Sequence, residues 1–166
     1  MRVARIVTCI LLVAMTAPAM AQEESNARPQ PALSDLRILD RADGILLHES
    51  KWLPSGERDC VIEAEKQNLF CALAYANAFT LGEYQHRAAA MQAVRFAIED
   101  QVDTSGYAHR LQDYNNAEGR TFAEVKQVIA MARADIVRSL LENDILSPGE
   151  AEAILNVADP SAVDEQ

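Results

Sequence analysis

Residues 69–81 read LFCALAYANAFTL. Their side chains are apolar nearly all round a helical wheel, with Asn77 the main polar exception, and a helix of that kind is stable only where its whole circumference is covered. The stretch predicts a buried central helix, ended or bent by Gly82. Such a helix needs amphipathic neighbours, and the flanking sequence supplies them.

On the amino side, Ser34 is a suitable N-cap for a pattern in which Ile38, Leu39, Ala42, Ile45 and Leu46 share one face. The first helix is predicted to reach about residue 50. Pro54, Ser55 and Gly56 then break the chain, and Trp52 just before them reads as a lid on the core. Cys60-Val61-Ile62 is a short apolar run that fits a strand and a helix start equally well.

On the carboxy side, a helix is predicted over about 83–102, with Met91, Val94, Ile98 and Val102 buried and Arg87, Arg95 and Glu99 largely outside. Residues 103–106, DTSG, stop it, and irregular turns follow over 107–114. Thr121 and Glu124 form a capping box that opens a long helix with the stripe Val125, Ile129, Ala132, Ile136 and Leu140. Ser147 and Glu150 repeat the box, with Pro148 at the first helical position, which predicts a short last helix over about 148–157. The fold class is all-α, a compact bundle of four or five helices, with a short hairpin near residue 60 as the one non-helical alternative.

The first residues have a different character. Arg2 and Arg5 precede an apolar run over 6–15, too short for a membrane span, which leads to Pro18-Ala19-Met20-Ala21 with small residues where a signal peptidase cuts. Residues 1–21 are read as a cleaved signal peptide, with the cut near Ala21-Gln22. Residues 22–33, QEESNARPQPAL, read as a disordered tether, 34–158 as a single helical domain and 159–166 as a frayed tail. A periplasmic or secreted protein is expected, with no membrane span in its mature chain.

The full chain carries 15 Lys plus Arg, 25 Asp plus Glu and a formal charge of −10; cleavage removes two arginines and no acid, leaving −12. That sign opposes binding to phosphate backbones and excludes nucleic acid as an expected partner. Cleavage also removes Cys9 and leaves Cys60 and Cys71. In an oxidising compartment such a pair is expected to join. Along one continuous helix their Cα atoms would stand roughly 16 Å apart, beyond the reach of about 7 Å for a bridge. A disulfide therefore requires the chain to turn back near 65–68; the alternative is a free buried thiol at Cys71.

Three groupings are candidates for chemistry. In DYNNAEGRTFAEV, residues 113–125, Asn115 and Asn116 suit tight backbone turns, Arg120 brings a fork of donors, and Thr121 opens a helix with outward N–H groups. Together they could hold an anion, or they could close a turn and cap a helix with no ligand. His109 and Asp113, four apart, could meet on one helical face as a base and its orienting acid, with Arg120 holding an anionic group. Glu83 and His86 have the spacing of one half of a di-metal carboxylate site, with no second half. No Gly-rich phosphate loop or nucleophile elbow occurs, and no cofactor is expected.

Trp52, Cys71 at the head of an alanine-rich helix, and Tyr114-Asn115-Asn116 followed by Gly119-Arg120-Thr121 and Glu124-Val125 resemble an uncharacterised bacterial helical domain family. Its members show a tryptophan, a later Cys-x-x-Gly-Ala-Leu and Trp-Asn-Asp-x-x-Gly-Arg-Thr-x-x-Glu-Val. The resemblance covers about residues 36–134 and implies a small helical domain of unknown function. Here Tyr114 stands in place of the family's tryptophan, Asn116 in place of its aspartate, and Ala74-Tyr75 in place of Gly-Ala.

These readings lead to an exported helical domain, most simply a noncatalytic periplasmic module that binds a protein or a small ligand. The alternative is a hydrolase-like enzyme built on His109, Asp113 and Arg120. A weaker alternative is a metal-binding bundle using Glu83 and His86.

Overall fold

The computed structural model describes residues 28–156; the expected signal peptide 1–21, the first part of the expected tether and the expected tail 159–166 lie outside the described residues. Among the described residues there are six α-helices: α1 Leu33–Ile45, α2 Leu69–Leu81, α3 Ala89–Glu99, α4 Arg110–Asn116, α5 Phe122–Glu142 and α6 Pro148–Asn156. A 3-10 turn, Glu49–Lys51, follows α1. The count exceeds the expected four or five because the residues read as irregular turns over 107–114 run into the short α4, Arg110–Asn116. No strand is present among the described residues, and none of their helices is long and apolar enough to cross a membrane.

The bundle is organised around α5. It packs on α1, α3 and α6, while α2 packs on α1 and α4. The predicted stripe of α5 is buried throughout, from Val125 to Leu140. Length explains the centrality: at 21 residues, α5 spans roughly 30 Å at 1.5 Å per residue and reaches both ends of the molecule. Helix α2 matches its predicted bounds, but its last turn is not enclosed, since Phe79 is exposed and carries the Arg41 guanidinium 3.6 Å from its ring centroid.

Helix ends are tied by side chains from other segments. The first helix starts at Leu33, with Ala32 at the cap position in place of the expected Ser34. Asp35 does the capping from inside: one carboxylate oxygen accepts the Ala32 N–H at 2.9 Å and the other accepts the Ala90 N–H at 2.8 Å. One buried carboxylate thus serves the amino ends of both α1 and α3, where free N–H groups favour negative charge. At the other end of α1, Lys126 of α5 pairs with Asp43 and donates to the carbonyls of Asp43 and Leu46. Helix α1 ends at Ile45, five residues earlier than the pattern indicated. The last residues of the expected tether run alongside α3 and α5, where Arg28 sits over Phe96 and Gln30 donates to Asn143.

The predicted helix over 83–102 is shorter, starting at Ala89. Gly82 adopts φ 84 and terminates α2. Asn77, wholly buried, then accepts the Gln85 N–H at 2.8 Å and donates to the Gln85 carbonyl at 3.3 Å, holding the following loop extended. Both capping boxes form as predicted, at Thr121/Glu124 and Ser147/Glu150.

Residues 52–68 form neither a hairpin nor a helix. A single parallel bridge joins Trp52 to Gln67, and Cys60 is bonded to Cys71 with Cα atoms 5.3 Å apart. The chain turns back before Leu69, as the bridge requires. Reducing the disulfide is expected to lower stability by about 3 kcal/mol through loop-closure entropy. Denaturant titrations of the oxidised and reduced chain measure that difference; an unchanged midpoint would contradict it.

Candidate functional site

The asparagine–arginine motif lies at the junction of α4, the 52–68 loop and the start of α5. Asn115 is at its centre and has no exposed surface. Its Oδ1 accepts the Trp52 indole N–H at 2.8 Å and the Leu69 main-chain N–H at 3.0 Å. Its Nδ2 donates to the Leu53 carbonyl at 3.0 Å and to Asn116 Oδ1 at 3.2 Å. A carboxamide has two acceptor and two donor positions, and all four are used. The Leu69 N–H is one of the free donors at the head of α2, and Asn68 serves another by accepting from Cys71 at 2.8 Å.

Asn116 pairs with one residue twice, accepting the Gly56 N–H at 3.2 Å and donating to the Gly56 carbonyl at 3.0 Å. Gln112 reaches the same carbonyl at 3.1 Å. The space at residue 56 is tight: a Cβ there would sit 3.0 Å from Leu53 Cδ2 and 3.1 Å from Asn68 Nδ2, so those side chains would have to shift to admit one.

Arg120 lies flat on the Tyr114 ring at 3.7 Å, donates from Nε to the Tyr114 carbonyl at 3.0 Å and pairs with Glu124 at 3.1 Å; its side chain is 9% exposed. The Tyr114 hydroxyl donates toward the Glu124 carbonyl and Gln101, each at 3.2 Å, and burial raises its pKa, with Arg120 opposing. Thr121 caps α5. The polar contacts of the four proposed ligand residues are made within the protein, to main chain, to Trp52 and Glu124 and between Asn115 and Asn116. The pKa of Glu124 is lowered, chiefly by the Thr121 N–H, then by the Thr121 hydroxyl and Arg120.

The other candidates take different positions. Asp113 accepts the main-chain N–H of His109 at 2.7 Å, while the His109 ring lies 3.1 and 3.2 Å from an Arg58 nitrogen. Glu83 and His86 sit in the loop between α2 and α3, so the helical spacing that related them does not apply. Among the described residues no group of three or more His, Cys, Asp or Glu is placed to hold a metal ion.

The sequence reading missed a basic cleft of about 240 Å³ beside this junction. Arg58 comes from the disulfide loop, His86 from the loop before α3, Arg95 from α3, and His109 and Arg110 from the start of α4, over Phe70 and Leu111. Arg95, expected outside, is 8% exposed and donates to the His86 carbonyl at 3.0 Å. One signal was available: residue 95 is four after Met91 and three before Ile98, so it adjoins the buried stripe. Burial lowers the His86 pKa, and Arg95, Arg58 and Arg87 push it further in the same direction.

Two consequences can be measured. Asn115→Ala removes four partnered positions from a dry site and is expected to cost about 4 kcal/mol; a loss below 1 kcal/mol in denaturant titration would contradict the assigned role. Because the folded pKa of Glu124 is depressed, its contribution is present above the unfolded carboxyl value and is lost as pH falls through the folded one. Glu124→Gln is therefore expected to flatten the acid limb of the stability profile, with little loss there and a larger one near neutrality.

No curated protein and no solved structure matches the chain. Residues 30–135 match the model of a family of unknown function, DUF6197. That span includes Trp52, the disulfide loop, the asparagine pair and Arg120, and it agrees with the extent of the resemblance seen in the sequence. The chain is a member of the DUF6197 family.

Proposed function

We propose that this protein is an exported, noncatalytic binding module, held in shape by the Asn115 junction and the Cys60–Cys71 bridge. The observation carrying this reading is that Asn115, Asn116, Arg120 and Thr121, the most distinctive polar residues of the chain, spend their donors and acceptors on internal partners. Their service to the scaffold leaves recognition to the neighbouring surface. The hydrolase-like alternative needs His109, Asp113 and Arg120 to converge on one reacting atom. The carboxylate of Asp113 is engaged by main chain, and Arg120 is stacked on Tyr114. Export rests on the basic, apolar and small-residue pattern of residues 1–21. In the periplasm the bound species is expected to be a protein or a small solute, not nucleic acid, because of the acidic charge.

Expression with the native leader tests the first half of this reading: the recovered protein should begin at Gln22 and lie in the periplasmic fraction. The second half is tested by thermal shift of the mature protein against a panel of small solutes, run beside ester, amide and phosphoester turnover assays. A shift without turnover is expected. Turnover abolished by His109→Ala would overturn the noncatalytic reading.

A further inference from the structure

The basic cleft contrasts with the rest of an acidic molecule. Among the described residues, Arg28, Arg110, Arg120, Lys126, Arg133 and Arg138 each have a carboxylate partner within 4.0 Å. Arg37, Arg41, Lys51, Arg58, Lys66 and Arg95 have none there, and of these Arg58 and Arg95 line the same cleft. Arg58 contacts the His109 ring and lies 5.2 Å from the Phe70 centroid. Arg95 is held by the carbonyl and ring of His86, with its NH2 3.3 Å from His86 Nδ1. No aspartate or glutamate lines the cleft; Glu99, the partner of Arg110, does not border it.

The donor inventory strengthens the contrast. A guanidinium carries five N–H donors and no acceptor, and a neutral imidazole has one acceptor nitrogen. The two short contacts between Arg58 and His109 therefore represent at most one hydrogen bond, and most of the Arg58 fork remains available at the cleft surface. Arg95 is held by its bonds to His86; burial lowers its pKa, Tyr84, hydrogen-bonded to it, opposes that shift, and Arg110 and Arg58 push the same way as burial, yet a guanidinium remains charged all the same. Cationic side chains gathered in one cleft concentrate a positive field, and planar guanidinium geometry matches oxyanions.

We propose that the cleft between Arg58, His86, Arg95, His109 and Arg110 binds a small oxyanion, the carboxylate or phosphate group of a low-molecular-weight solute. This deepens the binding-module reading and rests on it. A volume of about 240 Å³ is below the range of about 300–1,000 Å³ common for drug-sized ligands. It admits the anionic group and a short carbon skeleton and leaves little room for a nucleotide. Phe70 and Leu111 give that skeleton an apolar floor. The Cys60–Cys71 bridge acts on the site through Arg58, two residues before Cys60.

The test is calorimetry on the oxidised mature protein with inorganic phosphate and with succinate as probes, against sodium chloride at matched ionic strength. The His86 and His109 ring signals are followed by NMR in the same titrations, with His48, outside the cleft, as reference. Saturable binding of at least one probe is expected, moving the His86 and His109 signals and leaving His48 in place. Which probe saturates identifies the preferred oxyanion. Arg58→Gln, in an exposed loop, should weaken binding about tenfold or more, and Arg41→Gln, which removes the same charge elsewhere, should not. Arg95→Lys keeps the charge, loses the fork and should also weaken binding.

The proposal is overturned if neither probe saturates, if His48 moves with the other two, or if Arg41→Gln weakens binding as much as Arg58→Gln. Binding of some other solute or protein away from the cleft would then leave the binding-module reading standing. Substrate turnover would remove that reading instead.

Discussion

The buried amide of Asn115 connects three segments at one point, the 52–68 loop, the head of α2 and the end of α4. It receives the Trp52 indole and the first N–H of α2, and it donates to the Leu53 carbonyl and to Asn116. An unpartnered polar atom in such a place costs about as much as a whole hydrogen bond contributes, or more, so the arrangement is favourable only when complete. No similar residue completes it. An aspartate would present an oxygen to the Leu53 carbonyl, and an alanine would leave three main-chain or indole groups without a partner. Loop 52–68, α2 and α4 are thereby placed together before any ligand is considered, and the disulfide adds a covalent tie to the same loop.

Much of the bundle was legible because its helices follow one rule. Periodic apolar residues and local caps gave α2, α5 and α6 their type and most of their bounds, since those signals act within a few residues. The errors occurred where distant residues decide. Helix α1 starts at Leu33 because Asp35 finds a second donor in Ala90. Helix α3 starts late because Asn77 occupies the main chain of Gln85. Helix α4 is only seven residues long, too short for periodicity to distinguish from a turn.

The motif illustrates the same division. Its Gly119-Arg120-Thr121-x-x-Glu124 part was interpretable locally as a turn into a capped helix. The purpose of Asn115 and Asn116 was not, because their partners Trp52, Leu53 and Gly56 lie about 60 residues away. The choice of asparagine at position 116 also has a physical meaning. A carboxylate could accept the Gly56 N–H, but only the amide can also donate to the Gly56 carbonyl. Asn116 is accordingly suited to clamping the loop, and the proposed oxyanion cleft lies beside the motif, where the clamped loop brings Arg58 to residues of α3 and α4.

Native-state hydrogen exchange of the Trp52 indole N–H reads the central interaction directly. If the Asn115 junction holds the loop, that proton exchanges only on global unfolding, and its protection free energy equals the stability of the whole chain. Exchange through a local opening, several kcal/mol easier than unfolding while α2 and α5 stay protected, would show that the loop moves independently of the bundle and would contradict the account.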